Sequence, residues 1–207
     1  MASMRTVPSC AHCRAPMLPP GLGRRGFLRA AAAGAAGLAL APGRAYAQAA
    51  TPYKAMLLSC VDPRTQAPIA NWMTKPVPDS HSIGLEGKYS QFTIAGAAVG
   101  VVAPSFPAAW RDTFWDNFSA TIQLHRIQNL VVVDHSNCGA VGIAYGEDVL
   151  NDPKLELDAH MDDVTELKRE LSIRHPDAGF QAWYVARDSA GQFTQWKNLI
   201  PGPVIAA

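Results

Sequence analysis

Two short stretches hold the residue types best suited to chemistry. Cys60-Val61-Asp62-Pro63-Arg64 offers a thiol, a carboxylate and a guanidinium, and His135-Ser136-Asn137-Cys138-Gly139 offers an imidazole and a second thiol. Thiolate sulfur and imidazole nitrogen are preferred zinc ligands, and a His-x-x-Cys spacing presents one of each from a tight loop. Gly139 lets the backbone turn close beneath a ligand. Two ligands do not close a site, and Cys60 is the natural third. A Cys2His set leaves the fourth zinc position to water or a carboxylate, as in catalytic rather than closed structural centres. Zinc acidifies such a water toward neutral pH, although thiolates blunt the effect and the surroundings must help. Beside a metal, Asp62 could ligate or accept a proton and Arg64 could hold it. In isolation the two read equally well as a turn pair with solvated charges. For two cysteines in an exported protein, the competing reading is a disulfide.

Both stretches follow apolar runs, which makes them strand ends. Residues 54–59 and 129–134 read as buried strands because their apolar residues are nearly continuous. Pro63 stops the first strand. Sites in parallel α/β sheets form at the C-terminal ends of strands, which is where Cys60, His135 and Cys138 fall. Residues 89–95 alternate and predict a second strand. Small residues follow at 96–101; they permit close backbone approach, but match neither a dinucleotide fingerprint nor a phosphate loop. Residues 65–88 read mainly as loop, with a helical turn or two over 67–73 and a solvated His81. A helix capped by Ser105, with Pro107 in its first turn, carries the stripe Trp110, Phe114, Phe118, Ile122 and His125 into the core.

An amphipathic helix over 153–174 shows a second stripe, Leu157, Met161, Val164, Leu167 and Leu171. Asp158, Asp162, Asp163, Lys168 and Arg169 then face water, and His160 lies off the stripe and is solvated. Residues 180–186 alternate as a fourth strand, and 193–196 return as a hairpin after the Ser189-Ala190-Gly191 turn. This order predicts an α/β fold with a central, mostly parallel β-sheet flanked by helices.

The chain has 207 residues and a formal net charge of +1, which suggests one domain and gives no sign of a nucleic-acid partner. Gly23-Arg24-Arg25-Gly26-Phe27-Leu28-Arg29, an apolar run over 30–41, and Ala45-Tyr46-Ala47 together read as a twin-arginine export signal. The apolar run is short and rich in Gly and Ala, so no stable membrane anchor is expected. The expected organisation is a removed signal over 1–47 and a zinc domain over 48–207, located in the periplasm. Cys10 and Cys13 lie upstream of the signal and would leave with it; Met17 offers a second start. Export in the folded state lets a zinc–thiolate site be loaded in the reducing cytoplasm.

In order and spacing, Cys60-x-Asp62-x-Arg64 followed by His135-x-x-Cys138-Gly139-Ala140-Val141 resembles the β-class carbonic anhydrases, over roughly residues 56–171. The resemblance implies a zinc ion held by Cys60, His135 and Cys138, and reversible hydration of CO2 to bicarbonate. It implies Asp62 as acceptor of the proton from zinc-bound water, or as fourth ligand in a closed, inactive form. Arg64 would pair with Asp62 and keep it off the metal, and the protein would be a homodimer or higher homo-oligomer. Three features depart from the family. Asp134 stands where a Gly usually precedes the metal His. Residues 93–97, Thr-Ile-Ala-Gly-Ala, keep only Ala95-Gly96 of an Arg-Asn-Ala-Gly-Asn segment. The amino-terminal helices that embrace the partner subunit are nearly absent. These departures leave two further readings open: a zinc hydrolase of CS2 or COS, and a non-catalytic zinc-binding module.

Overall fold

A computed structural model of the chain describes residues 53–75, 82–203 and 205. The expected signal over 1–47, Cys10, Cys13 and His81 lie outside the described residues. Five strands form one sheet: β1 (Ala55–Cys60), β2 (Tyr89–Ile94), β3 (Asn129–His135), β4 (Gly179–Arg187) and β5 (Phe193–Ile200). Their order is β2-β1-β3-β4-β5. The first four are mutually parallel, and β5 runs antiparallel to β4. The α/β architecture is therefore as expected, with helices α1 (Pro63–Thr74), α2 (Ala98–Val102), α3 (Ala108–His125), α4 (Gly139–Tyr145), α5 (Glu147–Asn151) and α6 (Pro153–Arg174). None of the described helices is long and apolar enough to cross a membrane.

Side-chain alternation divides the core into two layers. Met56, Leu58, Leu130 and Val132 pack with Phe114 and Phe118 of α3 and with Val164, Leu167 and Leu171 of α6. Leu57, Val131, Val133 and Val185 pack with Ile69, Trp72 and Met73 of α1. Each fully buried Leu or Phe contributes about 1.5–3 kcal/mol, so both helical layers are firmly fixed to the sheet. From β1 the chain passes to β2 on one side and then returns across β1 to β3 on the other. Such a reversal of strand order opens a crevice at the strand ends. Ser59 pairs with Val133 there, so the loops after β1 and β3 leave the sheet side by side.

The helices correct several expectations. Pro63 stops β1 but also begins α1, which is longer than the turn or two expected; Asp62 is its N-cap. Residues 98–102 form a short helix where only small, closely packed residues were anticipated. The cap of α3 is Pro107, whereas the Ser105 hydroxyl donates to the Ala144 carbonyl. In α3, Trp115 is buried while Trp110 is only half-buried, stacked on Phe106. The α6 boundaries agree with expectation and its buried face does in part: Val164, Leu167 and Leu171 are buried and Leu157 packs against the same core, but Met161 is exposed, and Glu156, His160 and Asp163 are buried. The physical reason is that this part of α6 meets polar partners: the Asn137 and Cys138 amides, Asp134 and Tyr184 of the sheet, and the Tyr145 hydroxyl.

Candidate metal centre

Each candidate ligand is set by a strand end. Cys60 is the last residue of β1 and His135 the last of β3, while Cys138 is the N-cap of α4. All three are buried, and their ligand atoms lie within 4.8 Å of one another. Both cysteines are free thiols, so the disulfide reading is not the observed state.

The donor set fits a zinc ion on three independent observations. First, the His135 Nδ1 lies 3.0 Å from the Ser136 carbonyl, which can only accept. That contact places the ring hydrogen on Nδ1 and leaves the Nε2 lone pair directed inward. Second, the buried Nε2 has no hydrogen-bond partner, and buried polar atoms in native proteins rarely stay unpaired. Third, the two thiols are coupled: the neighbouring Cys138 draws the Cys60 thiol far below its ordinary range, while Cys60 together with burial pushes the Cys138 thiol up. Without a cation the pair keeps one proton; a divalent metal supplies the charge to release both. The Gly96 amide also donates to Cys60 Sγ at 3.2 Å. A Cβ on Gly96 would sit 2.6 Å from Ala140 Cβ at a backbone φ of +80°, so the segment after β2 can approach the sulfur only with glycine here.

Asp62 and Arg64 form an ordered pair at the mouth. Asp62 Oδ1 accepts from the Arg64 amide at 2.9 Å and from Nε at 3.0 Å, and Oδ2 accepts from Nη2 at 2.5 Å. Arg64 also donates from Nη1 to Asn137 Oδ1 and from Nη2 to the Asn137 carbonyl, both at 3.0 Å. The guanidinium therefore ties the β1 loop to the β3 loop. These hydrogen bonds hold the Asp62 carboxyl below the usual carboxylate range. Asp62 Oδ2 lies 4.0 Å from His135 Nε2, so the carboxylate borders the space between the three ligands.

Behind the loop lies a second group of polar residues that sequence reasoning missed. Asp134 is fully buried; its Oδ1 accepts from the Ala98 amide at 3.3 Å, and its Oδ2 faces His160 Nδ1 at 3.4 Å. His160, expected in solvent, is 0% exposed. Asp163, also expected in water, accepts from the Tyr145 hydroxyl at 2.6 Å, and burial pushes its carboxyl up to about 6. Glu156 accepts from the Asn137 and Cys138 amides. One signal could have found them: Glu156, His160, Asp163 and Leu167 recur at helical spacing, a stripe rotated from the apolar one. A cavity of about 720 Å³ opens on this side, bordered by Asn137, Glu156, Tyr184 and Arg187, and none of the three ligands lines it.

No family model matches the chain. An uncharacterized protein of Rickettsia conorii is 30% identical over 105 residues, 51% of this chain and 52% of the relative. A second, from Rickettsia bellii, is 25% identical over 121 residues, 58% of this chain and 69% of the relative. The chain thus matches about half the length of the first. Among solved structures it is similar to β-carbonic anhydrase isoform I of Trichomonas vaginalis, with a TM-score of 0.47, 14% identity, and 86% of this chain and 98% of that one covered. A chain from the tetrameric β-carbonic anhydrases of Sordaria macrospora gives 0.47 and 11% identity, covering 86% and 97%. The Coccomyxa β-carbonic anhydrase in complex with acetazolamide gives 0.43 and 13%, covering 90% and 89%.

Proposed function

We propose that the protein is a zinc-dependent lyase that interconverts CO2 and bicarbonate, with Cys60, His135 and Cys138 as metal ligands. The observation that carries this reading is the convergence of two free thiols and one unpaired imidazole nitrogen within 4.8 Å, with the Asp62–Arg64 pair at the edge. The motif resemblance supports it. Bound zinc would supply a Lewis acid that lets a water lose a proton near neutral pH. Arg64 keeps Asp62 ionised, so Asp62 accepts a hydrogen bond from the reacting water and orients it. Asp62 also stands where it can accept the proton which that water gives up and pass it on to solvent or buffer. Arg64, anchored on Asn137, restrains Asp62 from swinging onto the metal ligands. Val99, Ala103, Ala140 and Val141 pack with the two cysteines and give the centre an apolar wall, suited to an uncharged linear substrate. That wall also favours CS2 or COS as a second reading. The twin-arginine motif supports export to the periplasm, and the resemblance supports a homo-oligomer.

The test is stopped-flow CO2 hydration by the zinc-loaded mature protein and by Cys60→Ser. One zinc per chain, a rate above buffer, and loss of both in Cys60→Ser are expected. Zinc retained in that variant would sink the ligand set. Zinc-dependent sulfide release from CS2 or COS without CO2 hydration would favour the second reading, and tight zinc with neither activity the non-catalytic module.

A further inference from the structure

We propose that Glu156 is a positioning residue of the metal centre, gripping the loop that carries His135 and Cys138 from the side away from the ligands. Its functional weight rests on the zinc reading above; its geometry does not. Glu156 is 3% exposed and lies in the first turn of α6. Its Oε2 accepts from the Asn137 amide at 3.0 Å and its Oε1 from the Cys138 amide at 2.8 Å. The two successive amides that converge on this carboxylate belong to Asn137, whose backbone is left-handed with φ of 56°, and to the residue after it. For a residue other than glycine this conformation is uncommon, so something must stabilise it.

A buried carboxylate is costly unless it is paired or hydrogen-bonded. Glu156 makes no ion pair with a lysine or arginine among the described residues; the two amides and the positive end of α6 offset its charge. The two residues it grips have different tasks. Cys138 presents a candidate ligand sulfur, and Asn137 presents the two oxygens that hold Arg64. One side chain on α6 therefore sets both the ligand loop and, through Asn137 and Arg64, the carboxylate of Asp62. The chemistry demands a carboxylate here. Only Asp or Glu offers two acceptor oxygens with no donor, whereas Gln would turn an NH2 group against an amide N–H.

That asymmetry supplies the test, because Glu156→Gln preserves volume and packing while losing one acceptor. Zinc affinity is measured by competition with a chromophoric chelator, and ligand geometry from the visible spectrum of the cobalt-loaded protein. For Glu156→Gln, zinc affinity about 10–100-fold weaker than wild type is expected, with a shifted cobalt spectrum. Glu166→Gln, on the exposed side of α6, should match wild type in both. A folded Glu156→Gln with wild-type zinc affinity and cobalt spectrum would overturn the proposal. If that variant does not fold, amide exchange in the zinc-free wild type decides. Protected Asn137 and Cys138 amides support the grip, and exchange as fast as in an exposed loop overturns it. Failure of the zinc reading is seen separately, as no zinc in wild type or zinc retained in Cys60→Ser, and the amide measurement still tests the grip.

Discussion

The loop after β3 has two polar sides that handle charge in opposite ways. On the mouth side, Asp62 meets Arg64 through several hydrogen bonds, and the guanidinium is 44% exposed. On the α6 side, Asp134, Glu156, His160 and Asp163 are buried, and Asp134 Oδ2, Asp163 Oδ2 and both His160 nitrogens lack hydrogen-bond partners. In the mouth pair the Arg64 side chain is 44% exposed and that of Asp62 14%, so water screens the pair only in part and it adds modestly to stability. The α6 group is desolvated, so each of its contacts weighs on folding. Under the proposed function the difference separates roles: one side would serve the reaction, the other would hold the loop that carries Cys138.

Changes at the mouth should have the largest effect, and on turnover. Asp62→Asn is expected to lower CO2 hydration by about 10²–10⁴-fold, with zinc content unchanged. Because Asn caps a helix as well as Asp does, its stability cost stays below about 1 kcal/mol. A steady-state assay with metal analysis checks the first, and urea denaturation the second. Wild-type turnover in Asp62→Asn would remove the mouth from the chemistry and break the contrast.

His160→Leu tests the other side. It removes the side chain facing Asp134 Oδ2 and is expected to cost about 1–3 kcal/mol, read as a lower urea midpoint at unchanged slope. Turnover per zinc-loaded, folded molecule should stay near wild type. Normal stability with lost turnover would assign His160 to the reaction and dissolve the division.

The pH dependence is the most diagnostic, since the two sides should titrate in opposite senses. The Asp163 carboxyl is raised to about 6 by burial, so the folded state binds its proton more tightly than the unfolded chain does. Its contribution is present below the unfolded value of about 3.9 and is lost as pH rises through about 6. Asp163→Asn should therefore be more stable than wild type at pH 7, by up to about 3 kcal/mol, and equal to it near pH 4. Asp62 is depressed by Arg64, so its contribution is present above the unfolded value and is lost as pH falls through its lowered one. Thermal melts of wild type and Asp163→Asn across that range sharpen the comparison; a pH-independent difference would contradict it.

The sheet and the candidate residues that it brings together were legible in the sequence because each rests on local information. Thiol and imidazole identity, a three-residue spacing and a buried apolar run specify a strand ending in a metal-type loop. The same logic missed part of the buried face of α6. An apolar stripe predicts the buried face of a helix only where its neighbour is apolar, and the first turns of α6 rest against the amides of Asn137 and Cys138 and the carboxylate of Asp134. Asp134 read as an anomaly before His135, yet strand alternation sends it to the face opposite His135, where His160 waits.

By itself, then, the sequence determined the α/β order, the strand ends and the three candidate ligands, since periodicity and side-chain chemistry act over a few residues. Only the tertiary structure decided which charged residues are buried. Glu156, His160 and Asp163 look like solvent-facing helix positions until the fold places polar partners against them: the Asn137 and Cys138 amides, Asp134, and Tyr145. Burial depends on the partner across the interface, which no stretch of a single helix encodes.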